Sequence, residues 1–161
     1  MALHLAKLEL EPSRQAGLRR AVSTAYYALF HLLVSEAMQG WNRVEQRSLV
    51  GRLFEHGTMR SASEKTASEL KKQLKRGHHE DFDLAVAEKL LQVADTFVLA
   101  QQNRHEADYD TSTEWDADEV LDQIKSVSQA FESWKAIRET PEAQAYLLSL
   151  LLHGKRAFAR P

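Results

Sequence analysis

Between Pro12 and Pro141 the chain contains no proline, and its apolar residues return every three or four positions, the spacing of one face of a helix. The stretch is built largely from Ala, Leu, Glu, Lys, Gln and Arg, all good helix formers. The spacing predicts a first helix starting after Pro12 and Ser13 and ending near Gln39, where Gly40 offers a stop. Its apolar stripe is Val22, Tyr26, Phe30 and Leu33, and Ala21, Ala25 and Ala28 are small enough to admit a close neighbour. A second helix is predicted from about Val44 to Arg60, with Val50, Leu53, Phe54 and Gly57 on one side. A third runs from about Ser63 to Arg76 on a thinner stripe of Ala67, Leu70 and Leu74, and Gly77 ends it.

Asp81 or Asp83 is expected to cap a long fourth helix that carries Leu90, Ala94, Phe97 and Gln101 and ends near Tyr109. Ser112 or Thr113 is then expected to cap a fifth, with the cleanest stripe of all: Val120, Ile124, Val127, Phe131 and Trp134. Thr140 and Pro141 are a cap and first-position pair for a last helix, about 141–154. There Tyr146, Leu147, Leu150 and Leu151 face one way and Leu148 and Leu152 another, so it needs more than one neighbour. The fold expected is an all-α, up-and-down bundle of five or six helices. The first helix and the one that ends beyond Arg104 should form a long antiparallel pair.

At 161 residues the chain is the size of one domain, residues 1–161. Its 21 Lys and Arg nearly balance 23 Asp and Glu, so any binding to nucleic acid needs a local patch rather than a global field. The absence of cysteine removes disulfides, thiolate metal sites and a cysteine nucleophile. Residues Met1 to Leu10 lack the apolar run of a signal peptide, and the longest apolar run, Tyr146 to Leu152, is too short for a bilayer. A soluble, cytoplasmic protein without membrane contact is expected. The glycines are scattered, so no phosphate loop forms, and no pair of histidines has the spacing of a zinc helix. No cofactor or metal is expected.

Two stretches carry a resemblance: Ser23-Thr24-Ala25-Tyr26-Tyr27-Ala28-Leu29-Phe30-His31 and Arg104-His105-Glu106-Ala107-Asp108-Tyr109. Together they resemble the Ser-x-Ala-Tyr-Tyr-Ala-x-Phe-His signature of HEPN domains, the higher-eukaryote and prokaryote nucleotide-binding helical family, and the Arg-x-x-Ala-Asp-Tyr element of one of its branches. The resemblance covers roughly residues 18–134. It implies a helical bundle, frequent homodimerisation, and roles in RNA cleavage, in nucleotide or protein binding, or in toxin–antitoxin pairs with a small nucleotidyltransferase. Fold alone does not choose among these.

The residues narrow the choice. Arg20, Thr24, Tyr27 and His31 share one polar stripe of the first helix. Arg104 and Asp108 stand four apart and can pair along one face, with Tyr109 beside them. If the two helices pack, Tyr27, His31, Arg104 and Asp108 can meet in one cluster. The plainer reading makes Arg104 and Asp108 a helix-ending ion pair and His31 a satisfied histidine. Lys71, Lys72, Lys75 and Arg76, followed by His78 and His79, are read first as cations complementing a helix C-terminus, and second as an extension of a phosphate contact.

Family members that cut RNA place a His four to six residues after the Arg, but here those positions are Tyr109, Asp110 and Thr111. The nearest approach, Arg52 to His56, has only three residues between. The expected function is therefore non-catalytic binding of RNA, a nucleotide or a partner protein, with Arg20, Tyr27, Arg104, Tyr109 and the Lys71–Arg76 cations as contacts. The alternatives are a metal-independent ribonuclease that uses His31 and Arg104 with Asp108 orienting the histidine, and a structural homodimer built on the last helix.

Overall fold

The computed structural model describes residues 2–77 and 83–154, with side chains from residue 12 onward. Among them are six α-helices and no strand: α1 Ala2–Gln39, α2 Arg47–Gly51, α3 His56–Arg76, α4 Leu84–Tyr109, α5 Ala117–Ile137 and α6 Pro141–Leu152. None is long and apolar enough to cross a membrane. His78, His79 and Asp81 lie outside the described residues.

Three helix ends fall where their chemistry puts them. Gly77 follows α3 with φ 77°, a left-handed value that a side chain disfavours. Asp83 accepts from the Val86 amide to cap α4, and Thr140 accepts from the Ala143 amide ahead of α6, whose first residue is Pro141.

Elsewhere the expected boundaries move. Helix α1 begins ahead of Pro12 rather than after it, and the exposed Pro12 ring sits inside the helix, where it has no N–H for the preceding turn. The second and third expected helices divide at residues 52–55 instead of 61–62. A 3₁₀ turn, Val44–Gln46, and α2 precede that break, and α3 then runs unbroken through Arg60 and Ser63. The break goes with a contact to α1. A Cβ on Gly51 would come within 2.6 Å of Met38 Sδ, so the chain crosses the end of α1 at its glycine and then tightens into a turn. The Arg52, Leu53 and Phe54 amides there bond three residues back, to Leu49, Val50 and Gly51. Helix α5 is capped by Asp116, which accepts from the Asp118 and Glu119 amides. Ser112 and Thr113 donate instead to the Asp110 carboxylate, closing the loop after α4.

Helices α1 and α4 form the expected antiparallel pair, since Ser23 meets Asp108 while Tyr27, further along α1, meets Arg104. Tyr26, Leu29, Leu33, Phe97, Trp134 and Leu150 are fully buried in the main core, to which α1, α4, α5 and α6 all contribute. Helix α6 is part of that core. Its Tyr146 hydroxyl lies 2.8 Å from Ser63 Oγ, and Ala143, Leu147 and Leu150 are buried. Its apolar face is therefore spent within this chain, and only Leu148 and Leu152 remain exposed. Of the two apolar faces expected on the last helix, the Tyr146 and Leu147 face is taken up within this chain and the Leu148 and Leu152 face is exposed.

Candidate ligand-binding site

Adjacent residues on a helix point about 100° apart, so Tyr26 enters the core while Tyr27 stands at its edge. At that edge α4 brings up Arg104, whose Nη2 donates to the Tyr27 hydroxyl at 2.9 Å. Its Nε lies 2.9 Å from Asp108 Oδ2, an ion pair whose angle is too poor for a hydrogen bond. Ser23 Oγ donates to the other Asp108 oxygen at 2.5 Å. The Arg104 side chain is only 16% exposed and Asp108 32%. The guanidinium also sits 5.4 to 5.9 Å from the ring centres of Tyr27, Tyr26 and Tyr109, within cation–π range of all three. It is a cation fixed from several sides, and among the described residues its contacts use Nη2 and Nε.

Four of the expected residues lie together: Tyr27, Arg104 and Asp108 by direct contact, and Tyr109 as an aromatic ring that is 68% exposed beside the guanidinium. His31 joins them at one remove, its exposed ring stacked against Tyr27 at 6.2 Å. Asp108 does not orient His31, because its two oxygens face Ser23 and Arg104.

Arg20 stays apart. It is exposed and lines a groove between α1 and α5. Lys71, Lys72 and Lys75 share a different depression with Glu64 and Asp95, and Lys71 pairs with Asp95 at 2.9 Å. Asp95 and Arg104 are nine residues apart on α4, which is about half a turn around the helix and about 13 Å along it. The lysines and the exposed Arg76 therefore do not extend the Arg104 cluster, and the two acids offset part of their charge.

His56, absent from the expected site, stands beside it. It opens α3, and its ring stacks on Phe30 at 4.3 Å with Nδ1 2.5 Å from the Tyr26 hydroxyl. Burial, then the charges of Arg104 and His31, hold it below the ordinary histidine range, so it is neutral near pH 7. Burial likewise raises the Tyr26 hydroxyl, against the pull of Arg104, so it remains a donor. The one sequence signal for His56 was its spacing from Arg52, yet its actual partners are Tyr26 and Phe30, brought near by the packing of α3 on α1.

The loop after the site is fixed as well. Asp110 accepts hydrogen bonds from Ser112 and Thr113, and these hold its carboxyl below the usual range. Arg19 donates to the carbonyls of Ala107, Asp110, Thr111 and Thr113 at 2.5 to 3.3 Å. Among the described residues no three His, Asp or Glu side chains gather as a metal ion would require. Comparison with protein-family models, with curated proteins and with solved structures finds no match for the chain.

Proposed function

We propose that the chain is a HEPN-like helical binding module that holds a phosphate of RNA or of a nucleotide against Arg104 without cleaving it. The observation that carries this reading is a largely buried guanidinium, fixed by Tyr27 and Asp108, beside the exposed ring of Tyr109. Arginine offers a charge-assisted hydrogen bond to a phosphate, and an exposed aromatic face stacks an unpaired base. A fixed pair of that kind suits a single strand or a nucleotide better than a duplex, whose bases are already stacked. The partner suggested by the resemblance is a nucleotidyltransferase-like protein of a toxin–antitoxin pair, which co-purification would test.

Titration of a labelled single-stranded RNA of about ten nucleotides tests the reading. Affinity should fall steadily as salt rises. Arg104→Ala should weaken binding by roughly tenfold to a hundredfold, and Tyr109→Ala by about tenfold or more, consistent with about 1–3 kcal/mol for each kind of contact. Tyr109 is exposed, so its variant keeps the fold and isolates the ligand contact. Binding that ignores salt, or that survives both substitutions, removes the proposal.

A second reading, a metal-independent ribonuclease, is favoured by one observation: His31 and His56 both flank Tyr27, whose hydroxyl is bonded to Arg104. Histidine can move a proton near neutral pH while arginine stabilises phosphate charge. RNA incubated with excess chelator should then be cut by the wild type and spared by His31→Ala and Arg104→Ala. Equal cleavage by all three proteins eliminates the enzyme and leaves binding.

A further inference from the structure

Ten large apolar side chains are exposed among the described residues, and four of them, Trp41, Val44, Leu49 and Leu53, fall within one stretch of thirteen residues. The other six are spread over α4, α5 and α6. Single exposed apolar residues are ordinary, whereas a cluster of them marks a surface that something covers. The stretch is held from beneath. Val50 and Phe54 pack on the main core, so Leu49 and Leu53, one position before each, are left at the surface. Arg47, the first residue of α2, donates to the backbone carbonyls of Gln39 and Trp41, and the Trp41 indole N–H donates to Gln46 at 3.2 Å. Trp41 is thereby tied to the start of α2, and its exposed ring has no polar group left to offer. Beside it lies a hollow of about 300 Å³, lined by Gly40, Trp41, Asn42, Arg43 and Gln46. That volume stands at the lower limit of pockets that hold whole ligands, and suits an inserted side chain.

The charge on this stretch runs against that of the chain. Residues 41–53 hold Arg43, Arg47 and Arg52 against one acid, Glu45, while the net charge of the whole sequence is −2. Arg47 is occupied by its two carbonyls. Arg43 and Arg52 are exposed and, among the described residues, pair with no carboxylate or carbonyl. RNA would find only Trp41 to stack on, since Val44, Leu49 and Leu53 are aliphatic. A second copy, turned about a two-fold axis, would bring the same arginines together with one glutamate from each chain to offset them. A bilayer is flat and does not enter the hollow, and Trp41 has no free N–H for the headgroups. An acidic segment of another protein meets each feature, with apolar side chains for the hollow and the leucines and carboxylates for the two arginines.

We propose that the surface from Trp41 to Leu53 docks an apolar, acidic segment of a different protein, with one of its side chains in the hollow beside Trp41 and its carboxylates on Arg43 and Arg52. Tryptophan and arginine are the residues that most often carry the binding energy of such contacts. Tyr27 and Gln39 are twelve residues apart on α1, about 18 Å along the helix, so a segment docked here leaves the Arg104 cluster open. The surface works without any ligand at Arg104.

Random peptides of about sixteen residues, displayed on phage and selected on the full chain, test this. Enriched peptides should combine Leu, Phe or Trp with several Asp or Glu. Synthetic copies should bind less tightly as salt rises. They should bind Trp41→Ala about thirtyfold more weakly and Arg43→Glu/Arg52→Glu about tenfold or more weakly. A copy with every acid replaced by Lys should be rejected by the wild type and accepted by the doubly reversed protein. Arg43 and Arg52 are exposed, so the reversals keep the fold, and binding of the lysine peptide would itself report a folded variant. Arg104→Ala should bind the selected peptide as the wild type does. No enrichment, enrichment of neutral or basic peptides, or binding indifferent to the reversals overturns the proposal. So does a peptide that single-stranded RNA displaces or that Arg104→Ala loses, because it then occupies the other site. Capture of the wild type by phosphatidylserine vesicles in place of peptides, or self-association that Arg52→Glu alters, gives the surface a different occupant and overturns it equally.

Discussion

Tyr26→Ala should lower the unfolding free energy by about 3–5 kcal/mol, as expected for removing a fully buried aromatic ring. Tyr26→Phe should cost about 1–3 kcal/mol, because the ring stays and only the bond to His56 goes. The ring is 5.3 to 6.1 Å from those of Tyr27, Phe30, His56 and Phe97, so truncation opens a void at the meeting of α1, α3 and α4. The phenylalanine variant separates packing from hydrogen bonding, and it leaves a desolvated histidine nitrogen without a partner. Urea unfolding of the three proteins reads both numbers. A phenylalanine variant as stable as the wild type would mean that the Tyr26–His56 bond merely replaces water. A loss as large as that of alanine would make the hydroxyl, not the ring, the anchor of α3.

The same residue shows how much of the site was legible in the sequence. The alternation Tyr26 inward, Tyr27 at the edge follows from the helical period, and so does the Arg104–Asp108 pair. Their meeting follows once α1 and α4 are taken as an antiparallel pair. Helix ends set by local chemistry were equally readable, as at Gly77, Asp83 and Thr140. What could not be read were features decided by distant parts of the chain. The break before His56 follows the point where Gly51 lies against Met38, thirteen positions back, a contact that helical periodicity does not encode. Moving that break from 61–62 to 52–55 turned His56 from the interior of an unremarkable helix into the first residue of α3, set against Tyr26 and Phe30. Ser112 and Thr113 looked like caps because such residues usually are. Their hydroxyls donate to Asp110, and Asp116, immediately before the first residue of α5, takes the capping role. The basic run at Lys71–Arg76 was legible as charge, but its angle to Arg104 around the bundle was not.

Arg19 left no trace in the sequence, because its partners are backbone carbonyls 88 to 94 positions away and carry no residue identity. Arg19→Ala should cost about 2–3 kcal/mol. The guanidinium serves carbonyls at the end of α4 and in the loop beyond it, groups that helix geometry leaves without intrahelical partners, and hydrogen bonds to a charged group are worth about 1.5–3 kcal/mol before water replaces some of them. Arg19→Lys should recover only part of the loss, since an ammonium is a point donor and cannot span four acceptors as the planar fork does. The consequence reaches the site, because the loop these bonds hold starts immediately after Tyr109. Amide exchange should therefore quicken from Asp110 to Trp115 in the alanine variant, and RNA affinity should fall even though Arg104 is untouched. The outcome that defeats this account is a lysine variant equal to wild type in stability and exchange. In that case charge near the helix C-terminus, rather than a fork bridging the loop to α1, would be what holds Tyr109 in place.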